Sequence, residues 1–150
     1  MANFHNVTIS VFCRQDEDIG LIKERIEGLL ALNLVQEKLV IEESHAAGFE
    51  NKDITIFRLH MEKKRHVNAF VNIILGRLSK EQKELIVRQA PTRIDDDSTF
   101  YLRFDKGRLL SENELELTDS GNCFHIKMHV AAYPNNYENA LKAVRETFES

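Results

Sequence analysis

Tryptophan is absent from this 150-residue chain, and cysteine and proline occur only twice each. Two thiols, Cys13 and Cys123, are too few for a disulfide framework, and neither belongs to a CxxC pair or a Cys/His pair at zinc-finger spacing. Both therefore read as small buried hydrophobes. Long apolar runs are also missing. Stretches such as Phe70 to Leu75 fall far short of the roughly 20 residues a membrane helix needs, and the N-terminus lacks the charged-then-apolar pattern of a secretion signal. A cytoplasmic protein with no membrane partner is expected. Positive charge is not in surplus either: 20 Lys and Arg stand against 24 Asp and Glu, a net charge of −4. That balance excludes the uniformly basic surface of a strong duplex binder and confines any nucleic-acid site to a local patch. GxGxxG, Walker, GxSxG and HExxH motifs are lacking, so no enzyme class, cofactor or metal is indicated.

What is present is ordinary globular composition, 43% hydrophobic and 29% charged. A chain of this length can bury about two-thirds of the surface it exposes when unfolded. No linker rich in Pro, Gly or Ser and no fixed-period repeat divides it, so a single domain over residues 1–150 is expected.

Val7, Ile9 and Val11 alternate with Thr8, Ser10 and Phe12, which predicts a strand that ends at Asp16-Glu17-Asp18. Ile19, Ile22, Ile26, Leu29 and Leu30 follow at helical spacing, with the acidic cluster at the favourable end of the helix dipole. Leu39-Val40-Ile41 reads as a short strand running into a loop with Gly48 and an Asn51-Lys52-Asp53 turn. Ile54 to Met61 is a strand with Phe57, Leu59 and Met61 on one face and Arg58 and His60 on the other. Val67, Phe70, Val71, Ile74, Leu75 and Leu78 define an amphipathic helix. Ser79 with Gln82 forms a capping box that opens another, ending by Pro91. Phe100, Leu102 and Phe104 alternate with Tyr101, Arg103 and Asp105; Lys106-Gly107 then reads as a turn before a weaker strand around Leu115 and Leu117. After the Ser120-Gly121-Asn122 turn, Phe124, Ile126, Met128 and Val130 alternate with His125, Lys127, His129 and Ala131. Beyond Pro134, Tyr137, Ala140, Leu141, Val144 and Phe148 predict a closing helix capped by Asn135 or Asn136. The resulting class is α+β: a mainly antiparallel sheet with helices on one face, a two-layer sandwich whose other face is at least partly wet.

If the apolar strand faces pack on helices, the opposite faces present Arg58, His60, Tyr101, Arg103, His125, Lys127 and His129. Cations for phosphate together with a ring for stacking suit single-stranded RNA, although a charged face also serves solubility alone. Lys63, Lys64 and Arg65, followed by His66, stand at a helix start, where a phosphate is welcome but where a solvated junction is the ordinary outcome. Arg14 and the Lys106 to Arg108 turn are candidates for the edges of such a site. Three other readings are set aside. His125 and His129 lie about 13 Å apart on a strand, too far to share a zinc ion. Asp95-Asp96-Asp97 has no second acidic cluster or phosphate loop to make a magnesium site. Cys13 lacks an activating partner.

The segments Phe100 to Lys106 and Ile126 to Pro134 resemble the two signature strands of an archaeal family of RNA-binding proteins whose members are often described as exosome subunits. Val7 to Asp18, and the Ser44-His45 to Leu59 stretch followed by Arg65-His66-Val67, are similar too, so the likeness spans almost the whole chain. Two departures stand out: Gly107-Arg108-Leu109-Leu110 replaces the family's glutamine and small residue, and its Gly-rich segment is only partly kept as Ala46-Ala47-Gly48. The resemblance implies a fold like ribosomal large-subunit protein number five. It also implies a non-catalytic role in RNA processing, with RNA and RNA-processing proteins as partners. The alternative is an assembly or scaffolding module that buries its open face, or an edge strand near Leu115, against a partner or a second copy of itself as a homodimer.

Overall fold

The computed structural model describes residues 3–47 and 53–149. Its frame is the hydrophobic alternation. In β1 (Phe4–Arg14), Val7, Ile9 and Val11 are buried to within 1% exposure, and the same holds for Phe57, Leu59 and Met61 of β3 (Asp53–Met61). Phe100, Leu102 and Phe104 of β4 (Thr99–Asp105), with Phe124, Ile126 and Met128 of β5 (Cys123–Val130), complete that face. With β2 (Glu42–Ala47) at one edge, the strands form a five-stranded sheet in the order β2-β3-β1-β5-β4, antiparallel at every pairing. Helices α1 (Ile19–Gly28), α2 (Lys64–Arg77), α3 (Lys80–Arg93), α4 (Lys106–Glu112) and α5 (Tyr137–Glu149) supply the other half of the core. The result is the expected α+β arrangement in two layers.

Local chemistry sets the helix ends. The Asp18 carboxylate accepts the Leu21 N–H to start α1, and Asn136 Oδ1 accepts the Asn139 N–H at the head of α5. At α3 the capping box is reciprocal: Ser79 Oγ accepts from the Gln82 N–H (3.1 Å) and Gln82 Oε1 from the Ser79 N–H (2.8 Å). Gln82 Nε2 also donates to the Leu115 carbonyl at 2.6 Å, tying the segment after α4 to this cap. Ser79→Ala should therefore cost about 1 kcal/mol, read as a fall of about 3 °C in a thermal melt of a chain this size.

Four local expectations are corrected. No strand forms at 39–41: Lys38 takes a left-handed conformation (φ 58°) and Leu39 N–H closes a turn onto Leu34 O, while Val40 is 72% exposed. The strand begins instead at Glu42. As an edge strand it is held by its backbone ladder to β3, with side chains 42–46 exposed, so no apolar alternation announces it. The Gly48 loop and the Asn51-Lys52 part of the turn lie outside the described residues. Lys106-Gly107 is no hairpin turn but the first turn of α4, capped by Asp105 accepting from the Arg108 N–H. The far end of α4 stops at left-handed Asn113, and Arg25 donates to the Leu109 and Leu110 carbonyls there. In place of the strand at Leu115 and Leu117 there is a single bridge, Phe104 to Leu117, and Leu115 is buried. Finally, α3 runs past Pro91 to Arg93. The lost Pro91 N–H is one backbone bond, and the last turn is braced by Thr92 Oγ1 on the Gln89 carbonyl and by Arg93 on the Gln89 side chain.

Candidate nucleic-acid interface

The central strand shapes the uncovered side of the sheet. There β1 places the small polar residues Thr8 and Ser10, whereas its neighbours place long or ring-bearing side chains. Ser10 lies between Arg58 of β3 and His125 of β5, and His125 in turn faces Arg103 of β4. One row along, Thr8 lies between His60 and Lys127, and Lys127 faces Tyr101. Next comes Asn6 opposite His129, whose ring stacks on His5 at 5.5 Å. Small residues on the middle strand and tall ones on both flanks make a trough along β1. At one end it deepens into a depression of about 330 Å³ lined by Ser10, Phe12, Ile56, Arg58, Arg103, Cys123 and His125. Beside that, across Arg103 and His125, the end of α3 and the loop carrying Asp119 enclose a polar cleft of about 530 Å³. All seven sheet-face positions expected from the sequence share this surface.

The profile of the family described as RNA binding matches residues 6–130. The chain belongs to that family. An RNA-binding protein of Pyrococcus abyssi is 28% identical over 145 residues, covering 97% of this chain and 94% of its own length. Two solved structures share the fold. Protein AF2318 of Archaeoglobus fulgidus has a TM-score of 0.83 at 24% identity, covering 96% of this chain and 99% of its own. Mth689 of Methanothermobacter thermautotrophicus has a TM-score of 0.78 at 22% identity, covering 97% and 98%.

Not every cation that the sequence places on this face of the family member is free there. Arg58 and Lys127 are exposed and engage no ion pair among the described residues. Among the described residues Arg103 is held by one hydrogen bond, Nη1 to the Asp119 carbonyl at 3.1 Å. His60 is oriented by Thr8 and Glu62, at 2.7 and 3.0 Å. Lys106 is a correction: it is 3% exposed, with Nζ bonded to the Phe12 carbonyl and to Glu17, because α4 folds it inward beneath the end of β1. Arg108 is paired with Glu114 and Glu116, and Arg14 with Asp16 and Glu17. At the head of α2, Lys63 and Lys64 are exposed, but Arg65 and the buried His66 both turn to Glu37. Asp95 is a turn residue: its carboxylate accepts the Asp97 and Thr99 N–H groups and the Tyr101 hydroxyl at 2.8 Å.

The sequence reading passed over Phe12, 55% exposed at the trough's deep end, although it is the third member of the Thr8, Ser10, Phe12 set. Gln89, Arg93 and Asp119 were missed as well, since they reach the cleft from a helix and a loop, and no strand alternation marks them. The missed edge strand adds Glu42 opposite Arg58, an acidic neighbour for one wall of the trough.

Burial, and then the charges of Arg103 and Lys127, hold the His125 imidazole below its ordinary pKa of 6.5, so it is neutral at pH 7. A phosphate laid beside it would favour the charged form. If RNA phosphate lies on this face, its affinity should rise as the pH falls from neutrality, and His125→Gln should flatten that rise in a binding titration across pH 5 to 8.

Proposed function

We propose that this protein binds single-stranded RNA along the trough over β1 and performs no chemistry on it. The observation that carries this reading is the arrangement just described: a floor of Thr8 and Ser10 between Arg58 and His60 on one side and His125 and Lys127 on the other. An extended strand fits such a channel, with phosphates beside the guanidinium and ammonium groups and bases over the exposed Phe12 ring or the histidines. Support also comes from the family and from the RNA-binding relative in Pyrococcus abyssi. A net charge of −4 is against a uniformly basic, duplex-binding surface, so the reading rests on a local patch of cations.

The reading extends to a role in RNA processing beside exosome-type machinery and to a likeness with ribosomal large-subunit protein number five, both resting on the family resemblance alone. The test of the binding itself is a fluorescence anisotropy titration with a short labelled RNA at several salt concentrations. With Arg58, Arg103 and Lys127 as the phosphate contacts, the logarithm of affinity should fall against the logarithm of salt with a slope of about −2. A slope near zero would remove the phosphate contacts and the reading with them.

A further inference from the structure

The polar cleft beside the trough contains a group that phosphate binding does not explain. Asp119 is acidic, 96% exposed, and set next to Arg93 and Arg103, where a phosphate site would do better without it. Its neighbour Arg93 is held in place: Nε and Nη2 both donate to Gln89 Oε1, at 3.0 and 2.6 Å, and its side chain is 13% exposed. Arg93 Nη2 and Asp119 Oδ1 then lie 3.7 Å apart at the mouth, a fixed donor beside an acceptor. The same cleft is lined by two rings, Tyr101 and His125, with centroids 5.6 Å apart. At about 530 Å³ the cleft has the size of a small-ligand site.

A donor and a two-oxygen acceptor side by side complement one nucleobase edge better than the others. Guanine presents the O6 acceptor, then the N1–H and N2–H donors. Adenine and cytosine present a donor where O6 would be and an unprotonated ring nitrogen next to it. Uracil matches at its first two positions but turns a carbonyl oxygen toward the second carboxylate oxygen. We propose that this cleft is a guanine site: Arg93 donates to O6, Asp119 accepts from N1–H and N2–H, and the base stacks on the His125–Tyr101 wall while the chain continues into the trough. This rests on the single-stranded reading above, which supplies the rest of the RNA.

The test uses labelled pentaribonucleotides of adenine with a central A, G, inosine or U, titrated against the full chain, with GMP as competitor. The expected result is that the G oligomer binds about tenfold more tightly than all-A, the scale of one bidentate base contact, with inosine and U between. GMP should compete only weakly, because it lacks the trough contacts. Asp119→Asn should erase the preference for G while leaving all-A binding equal or slightly tighter, since a negative charge has been removed; a purely electrostatic Asp119 would tighten both alike. Equal affinity for all four oligomers, with binding intact, overturns the guanine site and leaves the trough standing. GMP competing as well as the G oligomer overturns it in favour of a free-nucleotide pocket. No binding of any oligomer removes the single-stranded reading and this inference together.

Discussion

An Arg103→Glu/Lys127→Glu double variant should lose on the order of 100-fold or more in affinity for a short single-stranded RNA at low salt, because each reversal turns a released counterion into a repulsion. The two residues stand on adjacent strands of the uncovered face: Arg103 is opposite His125, and Lys127 is opposite both Thr8 and Tyr101. Neither belongs to the core, and among the described residues the one hydrogen bond lost is that from Arg103 to the Asp119 carbonyl, so the fold should survive, as a circular dichroism melt would verify. A matched control is Lys80→Glu/Lys142→Glu, which reverses the same number of charges at exposed positions of α3 and α5, outside every candidate contact. If the trough binds RNA, the control should change affinity by less than about tenfold, reflecting only the long-range field. Equal losses in both variants would mean that net charge, not the sheet face, governs binding.

Glu17→Ala should destabilise the protein by about 3 kcal/mol in urea unfolding at pH 7, the scale for stripping the partner from a buried charge. Lys106 is 3% exposed and Glu17 15%, and they meet at 2.6 Å; Glu17 also accepts the Arg14 N–H at 2.9 Å. Without the carboxylate, the Lys106 ammonium keeps, among the described residues, only the Phe12 carbonyl. Lys106→Met removes the charge itself and should cost less, which separates burial of an unpaired ion from loss of packing. The pH dependence has a definite sign. Burial raises the Glu17 pKa, but the Lys106 hydrogen bond, the Arg14 N–H and the charges of Lys106 and Arg14 outweigh it, so the folded value lies below 4.5. The stabilisation is therefore present above about pH 4.5 and is lost as the pH falls through the folded value. A cost below about 1 kcal/mol at pH 7, or one independent of pH down to 3, would show that Lys106 is solvated.

The two experiments bear on one structure, since Lys106 and Glu17 anchor the end of β1 from which Phe12 projects. Loss of the pair should loosen the deep end of the trough as well as the fold.

Much of this was legible in one dimension because alternation and helical spacing are local consequences of burial. Val7-Ile9-Val11, Phe57-Leu59-Met61 and Phe124-Ile126-Met128 could face the core only by turning Thr8-Ser10, Arg58-His60 and His125-Lys127 the other way. The same periodicity put the helix seams where they are found, and the Ser79 and Gln82 side chains at N-cap and N3 marked the capping box. β2 escaped notice because an edge strand is fixed by backbone bonds that any side chain permits, and α4 because seven residues hold too few turns to show a period.

What the sequence determined by itself was therefore which side chains share a face. Tertiary structure alone decided which faces adjoin, that Lys106 turns inward to Glu17, and that Gln89, Arg93 and Asp119 meet Tyr101 and His125 around one cleft. The physical reason is one of range: side-chain direction follows from the backbone within a few residues, whereas strand order and ion pairing join groups as far apart as Glu17 and Lys106, whose meeting depends on how the whole core packs.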